Sequence, residues 1–127
     1  GNDTWTSGFE GAWTSTPTKW SNEFFKYLVD KEWEKHVGPG GHYQWRMKDS
    51  PDDPRMRFTT HMALLHDVKY KAIVEEFASN MTALDEAFDS AWTALTTNGN
   101  GWSTKKKCDS FSLQPRYGEQ DMLDSDI

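Results

Sequence analysis

Apolar positions recur at helical spacing in several stretches of this chain, separated by breaks rich in Gly, Pro and Asp. Phe24, Phe25, Leu28, Val29 and Trp33 line one face of a helix that Ser21 can cap and that runs to about His36. Gly38-Pro-Gly-Gly41 stops it. Two short strand candidates follow, Tyr43–Lys48 and Arg55–Phe58, joined by Asp49-Ser-Pro-Asp-Asp-Pro54, and together they read as a hairpin. Thr59 or Thr60 opens a short helix through about His66. Asp67 caps another, which turns Tyr70, Ile73, Val74 and Phe77 inward. Thr82-Ala-Leu-Asp85 has the form of a capping box, with Asp in place of the usual Glu. The helix it opens carries the cleanest amphipathic stripe of the chain: Leu84, Ala87, Phe88, Ala91, Trp92 and Leu95. Asn98-Gly99 ends it.

These elements predict a mainly α fold of three to four helices plus a small β-hairpin, in one domain over 1–127. Residues 1–19 form an extended arm anchored by Trp5, Phe9 and Trp13. The helical core covers 20–98, with the hairpin near 43–58. From 99 to 127 the chain is a polar tail, carrying Lys105–Lys107 and an acidic end, expected to be solvated or partly disordered unless Trp102, Phe111 and Tyr117 dock on the body. There is no internal repeat.

Composition adds limits to this outline. Only 35% of the 127 residues are hydrophobic, but seven Trp, seven Phe and four Tyr bring large buriable areas. The net charge of −6 argues against nucleic-acid binding through bulk positive charge. A single cysteine, Cys108, excludes a disulfide framework within the chain and a Cys-based zinc site. No apolar run nears the roughly 18 residues of a membrane span, so no membrane partner is expected. The expected location is cytoplasmic, or secreted with a signal already removed. Asn2-Asp-Thr4 and Asn80-Met-Thr82 fit the glycosylation acceptor pattern, which arises easily by chance.

Candidate chemistry gathers around His61. Its spacing of five from His66 is not the four that puts two ligands on one helical face. The acidic loop residues Asp49, Asp52 and Asp53 precede it, and carboxylates with an imidazole suit a divalent cation, Mg, Mn or Zn. Tyr43, Lys48, Arg46, Arg55 and Arg57 are the nearest groups for phosphate contact. A catalytic set of His61, Asp52, Asp53, Tyr43 and Lys48 would then support metal-assisted phosphodiester hydrolysis. Against this, Asp-Asp-Pro is ordinary turn chemistry. Trp5 and Trp102 are the better surface candidates for stacking on a base.

Several motifs in order resemble the proximal half of a class I haem peroxidase, on the catalase-peroxidase branch. They are Ser7-Gly8-Phe9-Glu10-Gly11-Ala12-Trp13, then Thr-Pro-Thr-x-Trp-Ser-Asn-x-Phe-Phe at 16–25, and His42-Tyr-Gln-Trp45 followed by Lys48-Asp49. Phe58-Thr-Thr60 with Leu64, Asp67, Tyr70, Ile73 and Phe77, and Phe88 with Ala91-Trp92 and Leu95-Thr96, continue the likeness over roughly 7–97. The resemblance implies the proximal lobe of the peroxidase fold standing alone. It also implies a proximal histidine on iron, an aspartate accepting that histidine's ring proton, and a tryptophan beside it. Trp13 matches the tryptophan, a vestigial haem-pocket position. His61 stands where the aspartate is expected. The histidine belongs upstream of Ser7, where the chain reads Gly-Asn-Asp-Thr-Trp-Thr, and the distal half is not in this sequence.

The functional expectation is therefore a haem-free, catalytically degenerate peroxidase-derived module, without peroxidase activity and reused for binding, defence or toxicity. The alternative is a small metal-dependent hydrolase, most plausibly a ribonuclease-like toxin acting through His61 and its neighbouring Asp residues. Residual haem binding through His61, or by complementation with a distal-lobe chain, is a third reading. The expected partners are RNA or a protein, and the expected state is a monomer or weak homo-oligomer.

Overall fold

A computed structural model describes residues 3–98. Among them are five helices and three strands: α1 (Asp3–Ser7), α2 (Glu23–Asp30), β1 (Trp33–Val37), β2 (Tyr43–Met47), β3 (Met56–Arg57), α3 (Thr59–Ala63), α4 (Val68–Ser79) and α5 (Met81–Thr97). The fold is mainly α with a small antiparallel sheet in the order β1-β2-β3. Residues 1–91 form one compact unit, and α5 continues past it. Asn2, Gly99, Trp102, the Lys105–Lys107 run, Cys108, Phe111 and Tyr117 lie outside the described residues.

The expected hairpin is present as β2 and β3, with Trp45 opposite Arg57 and Arg46 opposite Met56. The helix expected to run to His36 instead ends at Asp30, where Lys31 turns extended and its amide donates to Tyr27 O. Trp33–Val37 then pairs with the whole of β2, from Trp33 opposite Met47 to Val37 opposite Tyr43. A ladder partner for five consecutive residues outweighs the helical spacing of Trp33 with Phe24, Phe25, Leu28 and Val29. Trp33 still meets the helix, because its indole N–H donates to Tyr27 O at 3.2 Å. The arm is also less extended than expected, since it opens with α1.

The helix starts shift by small, explicable amounts. Ser21 Oγ accepts from Glu23 N at 3.4 Å, near its expected capping place. Asn22 instead ties α2 to the end of α4, its side-chain amide donating to Phe77 O and Ala78 O at 3.0 and 3.1 Å. Asp67 caps α4 as expected, accepting from Lys69 N and Tyr70 N. α5 starts before the expected capping box: Asn80 Oδ1 accepts from Ala83 N at 3.2 Å, and Thr82 lies inside the helix. Phe58, rather than a threonine, sits at the N-cap of α3.

The apolar core is small. Leu28, Met47, Met56, Val74 and Leu84 are buried, and α2 packs on α4. Tyr70 and Ile73, expected to face inward, are exposed, so Val74 and the partly buried Phe77 form the inner edge of α4. The arm joins the sheet through Ala12, whose amide donates to Pro54 O and whose carbonyl accepts from Met56 N. Buried Gln44 fixes that arm, its side chain accepting from Glu10 N at 3.2 Å and donating to Glu10 O at 2.8 Å. Gly11 permits the approach: its φ is +117°, and a Cβ there would collide with Pro54 O.

Candidate functional site

The arm, the start of α2 and the first turn of α3 converge on His61. It is the third residue of α3, so its side chain reaches back over the helix start, and Nδ1 accepts the Phe58 backbone N–H at 3.1 Å. That bond satisfies one of the amides a helix start leaves unpaired. It also fixes the neutral tautomer, with the proton on Nε2. The ring is walled by Trp13 at 5.1 Å and Phe24 at 4.9 Å, both edge-on, and by Phe58 at 5.0 Å. Phe9 extends the cluster, meeting Phe58 at 4.8 Å and the His42 ring at 5.4 Å.

Arg57 lies beneath this cluster and is fully buried. Its guanidinium donates to the carbonyls of Trp13, Met56 and Phe24 at 2.8, 2.8 and 3.0 Å. The Phe24 and Trp33 rings cover it at 4.4 and 4.6 Å. No carboxylate pairs with it among the described residues, and its Nε–H is buried without a partner. A cation so placed is held by carbonyl dipoles and aromatic faces alone. Burial pushes Arg57 down to about 10. Burial, then the Arg57 charge, pushes His61 down to about 4, so the imidazole is neutral at ordinary pH.

The other candidate site residues are scattered. Asp53 is engaged by Arg55 Nε and Nη2 at 2.8 and 2.6 Å, which hold its carboxyl at about 2. Arg55 also reaches Glu23 at 3.1 Å and stacks over Tyr27. Asp49 pairs with Lys31, Lys48 with Glu32, and Arg46 with Glu34. Asp52 is exposed, and Tyr43 is an exposed ring under the Lys35 ammonium. The structure therefore does not bring His61 together with Asp49, Asp52 and Asp53. Among the described residues no three His, Cys, Asp or Glu side chains gather closely enough to hold a metal. Arg57, a candidate for phosphate contact, is sealed inside. Its structural role was missed at the sequence level, although an arginine between Met56 and Phe58 is the one signal of it.

In the resemblance to haem peroxidases, the position of His61 calls for a carboxylate that accepts a proton from an axial imidazole. A neutral imidazole whose acceptor nitrogen already holds the Phe58 amide does not fit that role.

Comparison with known proteins bears on the same residues. No family model matches the chain. It is similar to the catalase-peroxidase of Salinibacter ruber, 39% identical over 97% of this chain and 18% of that protein. The catalase-peroxidase of Methanospirillum hungatei is also 39% identical, over the same shares. That of Pseudomonas fluorescens is 43% identical over 80% of this chain and 16% of its own length. The arm, sheet and helices thus derive from a haem-peroxidase ancestry. The chain belongs to the catalase-peroxidase family as a partial, catalase-peroxidase-like sequence, spanning about a fifth of the curated relatives it matches.

Proposed function

We propose that this chain is the proximal lobe of a catalase-peroxidase reused as a binding module, without haem and without peroxidase turnover. In this reading 1–19 are its arm, 20–98 its core and 99–127 its tail. One observation carries it: the imidazole of His61 occupies the acceptor position with Nδ1 bonded to Phe58 N and its ring closed in by Trp13, Phe24 and Phe58. The Arg57 cation beside it opposes any further positive charge there. An axial histidine on iron would lose the anionic partner that raises its electron donation. The metal-dependent ribonuclease alternative draws no support from the packing, with Asp53 held by Arg55 and His61 by Phe58.

The test is a haemin titration of the purified protein, with and without added imidazole as a surrogate axial ligand. The expected result is the spectrum of free or imidazole-bound haemin and no peroxide turnover above that background. A stoichiometric protein-dependent Soret band accompanied by turnover would overturn the proposal.

A further inference from the structure

Between the arm, the start of α2 and the first turns of α5 lies an open cavity of about 410 Å³. That volume is in the range of small-molecule sites, which combine apolar walls with a few polar groups. The walls are ring faces and edges: Trp13, Trp20, Phe24, Phe25 and Phe88, with Leu84 behind them. Trp20 packs on Phe88 at 4.5 Å, and Phe24 bridges Trp13 and Phe25 at 6.2 and 5.1 Å. Trp13 and Trp20 remain 49% and 55% exposed, so an occupant would remove large apolar surface from water.

The charge of the cavity is opposite to that of the chain. Acidic residues outnumber basic ones by 20 to 14 overall, yet no Asp or Glu is among the described residues lining it, and Lys19 is its one charged group. The Lys19 ammonium has no ion pair or hydrogen bond among the described residues, and neither has the Trp13 indole N–H. The nearby Asp85 carboxylate is taken up by the Trp20 indole N–H at 2.6 Å. Among the side chains lining the cavity, the Lys19 ammonium and the Trp13 indole N–H are the donors left to meet an occupant, while Asp85 keeps its charge at the rim beside Trp20.

We propose that this groove binds an aromatic carboxylate. Its planar body packs among the indole and phenyl rings, as offset and edge-on geometry favours, and its carboxylate meets Lys19. The proposal goes beyond the haem-free reading and does not depend on it, since its probes contain no haem.

The experiment measures binding of 2-naphthoate and the uncharged 2-naphthamide to the full chain by NMR and calorimetry. Naphthoate is expected to bind saturably, moving the indole N–H resonances of Trp13 and Trp20. Naphthamide is expected to bind about tenfold more weakly, the discrimination of one charge-assisted contact. Lys19→Gln, an exposed change that leaves the fold intact, should bring naphthoate to the affinity of naphthamide and leave naphthamide unchanged. No saturable binding, equal affinities in the native protein, a Lys19→Gln variant that still discriminates, or shifts that bypass both indoles would each overturn the proposal.

Discussion

Arg57 and His61 place a cation and a titratable ring side by side in an aromatic shell, and each has a measurable consequence. Arg57 holds three carbonyls that belong to the arm, to β3 and to α2. Truncation leaves those acceptors buried and opens space between Phe24 and Trp33. Arg57→Ala is expected to cost about 3 kcal/mol of stability, seen as a lower urea midpoint with an unchanged slope. A loss below about 1 kcal/mol would show that the site collapses without penalty. For His61 the folded pKa of about 4 lies below the ordinary 6.5. Between those values the unfolded chain binds the proton more readily, so protonation favours unfolding. The His61 contribution is complete above pH 6.5, falls as pH drops toward 4, and is flat below. Burial also lowers His36, with the same sign. The urea midpoint should therefore decline from neutral pH toward pH 4, and the His61 Cε1 proton should titrate well below a free histidine. A normal His61 titration near 6.5 would remove the explanation.

At the helix starts the chain offers competing capping residues, and substitution distinguishes them. Asp67 accepts two amides at the start of α4, as its sequence context indicates. Asp67→Ala should lower stability by about 1 kcal/mol. For α5 the chain offers Asn80 and Thr82 two residues apart, and the structure uses Asn80. Asn80→Ala should cost about 1 kcal/mol, whereas Thr82→Ala should change stability little, both measured by equilibrium denaturation. The reverse order would restore Thr82 as the cap. β1 makes the same point for strands. Nothing within Trp33–Val37 excludes helix, and only pairing with β2 makes it a strand.

For the molecule as a whole, backbone and amide contacts tie the arm to the sheet. Gln44 exchanges two hydrogen bonds with Glu10, and Ala12 bridges Arg55. Gln44→Leu leaves both Glu10 backbone groups unpaired, with an expected cost of about 2 kcal/mol. Hydrogen exchange at Ala12 N should accelerate more than at the α2–α4 contact, because the arm can open locally. Equal acceleration throughout would mean that the arm and core unfold together. The exposed pairs Lys31–Asp49 and Lys48–Glu32 contribute little by comparison. No helix among the described residues is long and apolar enough to cross a membrane.

The ancestry, the mainly α character, the β2–β3 hairpin and the Asp67 cap were legible in the sequence. Each is carried by neighbouring residues: ordered motifs, a turn-rich acidic loop, or an acceptor two and three residues before the amides it caps. Tertiary contacts were needed to make Trp33–Val37 a strand, Arg57 an interior cation and His61 the acceptor of the Phe58 amide. It alone separated the proposed metal ligands, giving Asp49 to Lys31 and Asp53 to Arg55. Those outcomes depend on partners distant in the chain, such as Trp13 with Arg57 or β1 with β2. Local spacing specifies which face a side chain occupies. The free energy of burial and pairing specifies what it meets there.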